Sequence, residues 1–291
     1  MQFAYSPAMC NPEFYLPLAI AAEQAGYTSF TVPDSICYPQ TSDSKYPYND
    51  DGSREFLDGV PFLEPFTIIP AMAAVTSTLR FTTSVMKLAI RQPVVVAKQL
   101  SSVAVITNNR FAFGVGISPW PDDFAATQIP WEKRGKRMDE MMEIVNGLMT
   151  GEYFGYEGEI FQLDPIKICP APTKPVPLLI GGHAKPALRR AARLADGFIH
   201  SGGGADDFAP VIDEINGYRK EYGRDHLPFE FQALSADAFS PDGVKRLEEL
   251  GVQECVVAFR DAYKGEPDSA TLEEKIGQLN WFADRIISKV G

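Results

Sequence analysis

Two glycine-bearing stretches carry most of the chemistry that can be read from this chain. In RFAFGVGISPW an apolar run bearing Phe111, Phe113 and Val115 leads into Gly114 and Gly116 and then Pro119. Glycine there lets backbone come close to a flat ligand, and proline stops the strand. In PLLIGGHAKPALRRAARL a buried strand is expected to end at Gly181 and Gly182, with a helix from Ala184. Free N–H groups and the helix dipole favour an anion at such a start. Lys185, Arg189, Arg190 and Arg193 add a basic patch in a chain of net charge −11. Two titratable side chains are expected at strand ends, Asp34 in FTVPDSI and His200 in GFIHSGGG. Asp34 is either a functional acid or a brace for its loop. His200 is either a proton-transfer group or a buried imidazole satisfied by backbone. HExxH, P-loop and Ser-His-Asp patterns are absent. The four cysteines (Cys10, Cys37, Cys169, Cys255) show neither CxxC nor histidine at metal spacing, so no metal is expected.

Such residues need a frame that gathers strand ends. Apolar strands are expected at Gln2–Ser6, Thr28–Val32, Arg80–Val85, Arg110–Val115, Pro177–Gly181, Gly197–His200, Phe229–Leu234 and Val252–Phe259. Between them the helical period predicts Tyr15–Gln24, Pro65–Val75, Val94–Ile106, Trp131–Met149, Ala184–Leu194, Asp206–Tyr222, Pro241–Glu249 and Thr271–Val290. This alternation matches a (β/α)₈ TIM barrel forming one domain over residues 1–291, with a doubly wound sheet as the alternative. Ile36–Leu63 is too long for a simple connection and reads as a mobile lid, with Tyr38, Tyr46 and Tyr48 as candidate substrate contacts. Residues 151–177 read as a hairpin excursion (EYFGYEGEIFQLD) and a proline-rich link.

Composition bounds the rest. The chain is 45% hydrophobic, with no apolar run near the ~18 residues of a membrane span. A basic leader is absent and the cysteines are scattered, so a reducing cytoplasm is expected. The negative charge argues against nucleic acid or anionic membrane as partner. The apolar helices at 65–75 and 94–106 are either a homodimer face or buried in the protomer.

Four stretches, Leu79–Val103, Arg110–Trp120, Arg134–Glu152 and Pro177–Phe198, resemble in order and spacing the bacterial luciferase-like monooxygenase superfamily, and within it the coenzyme F420-dependent oxidoreductases. The resemblance implies a TIM barrel with the deazaflavin ring at its C-terminal mouth. It implies a small organic substrate that exchanges a hydride with the ring's C5, and a phosphate tail towards the loop after the fifth barrel strand. It also implies a cis peptide at Ser84–Val85 supporting the ring. On this chain the cofactor contacts it implies are Asp34, Thr83, Ser84, Val85, Gly114, Gly116, Ile117, Ser118, Gly181, Gly182, His183, Lys185, Ser201 and Gly202, with Asp34 and His200 as catalytic candidates. Sugar-phosphate dehydrogenases of the superfamily place a histidine and a glutamate where this chain has Ser35 and Pro119, so that acid/base pair does not carry over. FMN is the alternative cofactor. Some FMN enzymes carry an arginine in the loop where this chain has Ile117 and Ser118, which favours F420. A non-catalytic flavin or deazaflavin binder is the third reading.

Overall fold

Strand alternation sorts the apolar residues into two sets. Successive side chains of a strand point to opposite faces, so a closed barrel sends one set into its lumen and the other towards surrounding helices. The computed structural model of the protein describes residues 1–7, 9–46, 52–262 and 267–290. Among these, β1 (Gln2–Tyr5), β2 (Ser29–Val32), β3 (Arg80–Thr83), the short β4 (Met86–Lys87), β5 (Phe111–Gly116), β8 (Leu178–Gly181), β9 (Gly197–Ser201), β10 (Glu230–Leu234) and β11 (Glu254–Val257) form one parallel sheet. Its order β3-β2-β1-β11-β10-β9-β8-β5 closes through a β3–β5 pairing. Eight strands thus make a TIM barrel, and β4 adds only two residues beside β5. The excursion before β8 is the antiparallel hairpin of β6 (Phe154–Glu157) and β7 (Gln162–Ile166).

The helices are α1 (Tyr15–Gln24), α2 (Pro65–Ala74), α3 (Pro93–Ile106), α4 (Pro121–Ala126), α5 (Arg134–Met149), α6 (Lys185–Leu194), α7 (Ala205–Glu221), α8 (Pro241–Glu249) and α9 (Leu272–Phe282). Phe30, Phe81, Phe111, Phe113 and Phe198 join the large core shared with the helices. Ala112, Leu179 and Ile199, with Val85 against them, form a separate cluster in the lumen. The helices α2 and α3 bury Phe66, Ile69 and Met72, and Val96, Leu100 and Val103, within the protomer, and leave Val95, Val105 and Ile106 exposed. No described helix is long and apolar enough to cross a membrane.

The bottom of the lumen is a polar plug built from the first residues of four strands. Arg80 donates two hydrogen bonds to Glu230 (2.8 and 2.9 Å), Gln232 donates to Glu230, and Ser29 donates to Glu254. Burial pushes the Glu254 carboxyl up from the usual 4.5 to about 7, against the opposing pull of Arg80 and Ser29. The folded state therefore holds a proton that the unfolded chain releases. This contribution to stability is complete below pH 4.5 and is lost as pH rises through about 7, a change of about 3 kcal/mol. Urea unfolding from pH 4.5 to 8 is expected to show that loss in the wild type and a flatter profile in Glu254→Gln; parallel profiles would contradict it.

Three features depart from the sequence expectations. Residues after Pro119 form α4 rather than a plain loop, because Pro121 can start a helix and Asp122 and Asp123 favour its positive end. The helix expected from Trp131 begins at Arg134, since Lys133 has a left-handed φ of 56°, while Trp131 packs on Phe124 and beneath Arg134. The described part of 36–63 is anchored at Tyr46 and Arg54, although most of its residues are partly or fully exposed. Tyr46 is buried against Phe56 and Trp120, Arg54 lies over the Tyr38 ring, and Ser42 and Arg54 both reach Asp122. Aromatic contacts supply what the polar composition hides. Tyr48 lies outside the described residues.

Candidate functional site

The C-terminal mouth is floored by a valine held between two bare glycines. After β3 the Ser84–Val85 peptide is cis, as the resemblance implies, and the chain re-enters the sheet as β4. The Val85 side chain joins the lumen cluster. A β-carbon at Gly116 would stand 2.8 Å from Val85 Cγ2, and one at Gly181 would stand 2.8 Å from Val85 Cγ1. Val85 can lie across the lumen only because both strand ends lack side chains. At Gly114 the constraint is backbone: a β-carbon would stand 1.9 Å from the Thr83 carbonyl oxygen. The Thr83 hydroxyl donates to the Gly114 carbonyl (2.7 Å) and is fully buried, so it offers nothing to a ligand. The floor is thus apolar and flat, edged by the backbone of Gly116 and Gly181.

One wall is a charged network joining the loop after β2, β4 and α4. Asp34 is buried with both carboxylate oxygens engaged: Oδ2 accepts the Lys87 backbone N–H (2.8 Å) and Oδ1 pairs with Arg91 (2.9 Å). Arg91 also donates to the Lys87 carbonyl (2.6 Å). Asp34 therefore braces the turn after β4, and the geometry gives it no open position for proton transfer or cofactor. Ser118 is likewise enclosed. It donates to Asp123 Oδ2 and accepts the Trp120 N–H (3.1 Å), anchoring the start of α4. Lys87 crosses the wall, with Nζ 2.7 Å from Asp123 Oδ2, 3.4 Å from Ser35 Oγ and 5.1 Å from the centre of the Trp120 ring.

On the opposite rim the expectations divide. Gly182, with φ +140°, precedes α6, whose N-terminus no side chain caps. His183 and Lys185 are exposed beside it, while Ser201 ends β9 opposite Leu234 and Gly202 follows it, donating its N–H to the Leu234 carbonyl. The wider basic patch dissolves. Arg190 and Arg193 pair with Asp139, and Arg189 pairs with Glu221 over the Tyr218 ring. His200 shares its face of β9 with Phe198, so it points away from the lumen and stacks on Phe208 of α7 (4.2 Å, 10°). Neither ring nitrogen meets hydrogen-bond geometry among the described residues. Burial, then the neighbouring His183 (5.9 Å), hold its pKa below the usual imidazole value, so the ring is neutral at pH 7.

The structure thus brings Val85, Gly116 and Gly181 to the mouth, whereas Ile117 packs against the large core shared with the helices. It removes the side chains of Asp34, Thr83, Ser118 and His200 from direct access, and buries Tyr46 inside the loop it was expected to open. Lys87, Arg91, Asp123 and Trp120 escape a reading that looks for acids and histidines at strand ends. The available signal was spacing: Lys87 follows Val85 by two residues in an extended segment, and so shares its side.

A family model for luciferase-like monooxygenases matches residues 5–272. An uncharacterized protein of Mycobacterium tuberculosis is 52% identical over 290 residues, covering all of both chains. An F420-dependent glucose-6-phosphate dehydrogenase of Nakamurella multipartita is 29% identical over 218 residues, covering 70% of this chain and 57% of its own. Among solved structures, the monooxygenase RslO1 of Streptomyces bottropensis superposes with a TM-score of 0.78 over all of both chains at 16% identity, a likeness of fold. With the barrel and a match across nearly the whole chain, this protein belongs to the luciferase-like monooxygenase family.

Proposed function

We propose that the protein is an oxidoreductase that holds coenzyme F420 at the barrel mouth and moves a hydride between it and a small organic substrate. The observation that carries this reading is the floor itself. A β-carbon at Gly116 or Gly181 would collide with Val85, so two bare strand ends and one valine make a flat apolar seat of the kind a tricyclic ring needs. The backbone of Ser84, Val85 and Gly116 would lie beneath the ring, with Ile117 at its edge. Gly181, Gly182, His183, Lys185 and the uncapped start of α6 would meet the tail phosphate, with Ser201 and Gly202 beside them. When bound, the deazaflavin supplies the two-electron chemistry at C5, and the protein orients it and keeps water away. Ser118 is enclosed, and the loop bearing it offers no cation, which favours F420 over the FMN of a monooxygenase.

Titration at fixed ionic strength is expected to show saturable binding of F420, read by fluorescence quenching, with a lower Kd than FMN. Added salt is expected to weaken F420 binding, because the tail is anionic and Lys185 is solvent-exposed. Equal or tighter binding of FMN would assign the protein to the monooxygenase reading instead. A protein that binds F420 and reduces or oxidises none of a panel of small carbonyl compounds and alcohols would be a binder without catalysis.

A further inference from the structure

We propose that Lys87 is the group that binds the substrate's carbonyl oxygen and exchanges a proton with it during hydride transfer; this rests on the F420 reading. Strand pairing places Lys87 opposite Gly116, and alternation puts it on the same side as Val85, two residues before it. It therefore rises from the edge of the floor into the wall formed by Ser35, Trp120 and Asp123. An ammonium has three N–H donors. One meets Asp123 Oδ2 at 2.7 Å and one reaches Ser35 Oγ at 3.4 Å, leaving the third without a hydrogen-bond acceptor among the described residues, beside the Trp120 ring.

The pocket around it also has unused hydrogen-bonding capacity. Asp123 Oδ1 and Trp120 Nε1 are buried and find no partner among the described residues, although Asp123 is fully buried and Trp120 only 2% exposed. Buried polar atoms are seldom left unmatched, so water or a polar ligand group belongs there. Asp34 pairs with Arg91, and Asp122 meets Ser42 and Arg54. Lys87 differs from these groups by standing opposite Gly116 at the edge of the floor.

Bound reduced F420 would supply the hydride to the carbonyl carbon and would be left oxidised as the C=O π pair moves to oxygen. That oxygen would take one proton from Lys87 Nζ to give the alcohol, and the neutral amine would regain its proton from solvent. Asp123 positions the amine.

Acetate tests this without turnover, because its carboxylate oxygen mimics the developing alkoxide. Titrated into the F420 complex and followed by the cofactor's absorbance, acetate is expected to bind the wild type. Lys87→Arg keeps a cation, so acetate binding should persist. Lys87→Met should weaken acetate by about tenfold or more under the same conditions, while F420 still binds.

Because Lys87→Met strands Asp123, the double variant Lys87→Met/Asp123→Asn removes both charges together and should show the same loss. Equal acetate binding in wild type and both Met variants overturns the assignment. A wild type that binds no F420 overturns the cofactor reading and this one with it, whereas intact F420 binding with Lys87-independent acetate overturns this one alone.

Discussion

Replacing Asp34 by alanine is expected to destabilise the fold by about 3–5 kcal/mol, the usual cost of stranding the partner of a buried ion pair. Its side chain is 2% exposed and that of Arg91 15%. Removal leaves the Arg91 guanidinium with only the Lys87 carbonyl among the contacts described above, and removes the acceptor of the Lys87 N–H. Since these bonds fix the turn after β4, the loss reaches the cradle. Asp34→Asn keeps an acceptor for the N–H and gives up only the charge, so a smaller loss is expected there. Urea denaturation separates the two variants. An Asp34→Ala protein within about 1 kcal/mol of wild type would show that the brace contributes little, and would return Asp34 to the list of candidate acids.

Gly116→Val is expected to weaken F420 by roughly a hundredfold, about 2.7 kcal/mol, while the barrel still folds. The added β-carbon meets only the Val85 side chain closely, and the Gly181 carbonyl oxygen lies at an ordinary 3.6 Å. Overpacking of this kind costs about 1–3 kcal/mol of stability, since a branched side chain must turn or shift. The displaced Val85 and the new methyl groups then stand where a flat ring needs bare surface. Circular dichroism and a thermal midpoint establish folding, and fluorescence titration reads affinity. Wild-type affinity in a folded Gly116→Val protein would show that Gly116 serves only the packing of Val85.

The frame was legible because hydrophobic period and turn chemistry agree along most of the chain. The helices α1 and α8 have the bounds expected from the helical period, and the hairpin of β6 and β7 falls within the excursion expected over residues 151–177. The elements that escaped depend on tertiary partners. Nothing local in WEKRG says that Lys133 turns left-handed, and nothing in PWPDDF says that Asp123 becomes the fully buried partner of a lysine 36 residues earlier. His200 lies at the strand end expected for it, and of its two readings the structure favours the buried imidazole. Its parity with Phe198, whose ring belongs among the helices, was the signal that assigns it outward. Arg190 and Arg193 read as a phosphate patch from charge alone, and Asp139, half a hundred residues away, takes them both. Glycine positions fared better, because a missing side chain is a property of the residue itself.

Whether the ring rests on Val85 is tested most directly by the methyl spectrum of valine-labelled protein, with the Val85 signals assigned from their loss in Val85→Leu. Saturating F420 is expected to shift both Val85 methyl resonances through the ring current and to give nuclear Overhauser contacts between them and the deazaflavin protons. A saturated F420 complex in which the Val85 methyls neither shift nor contact the ring would contradict the account.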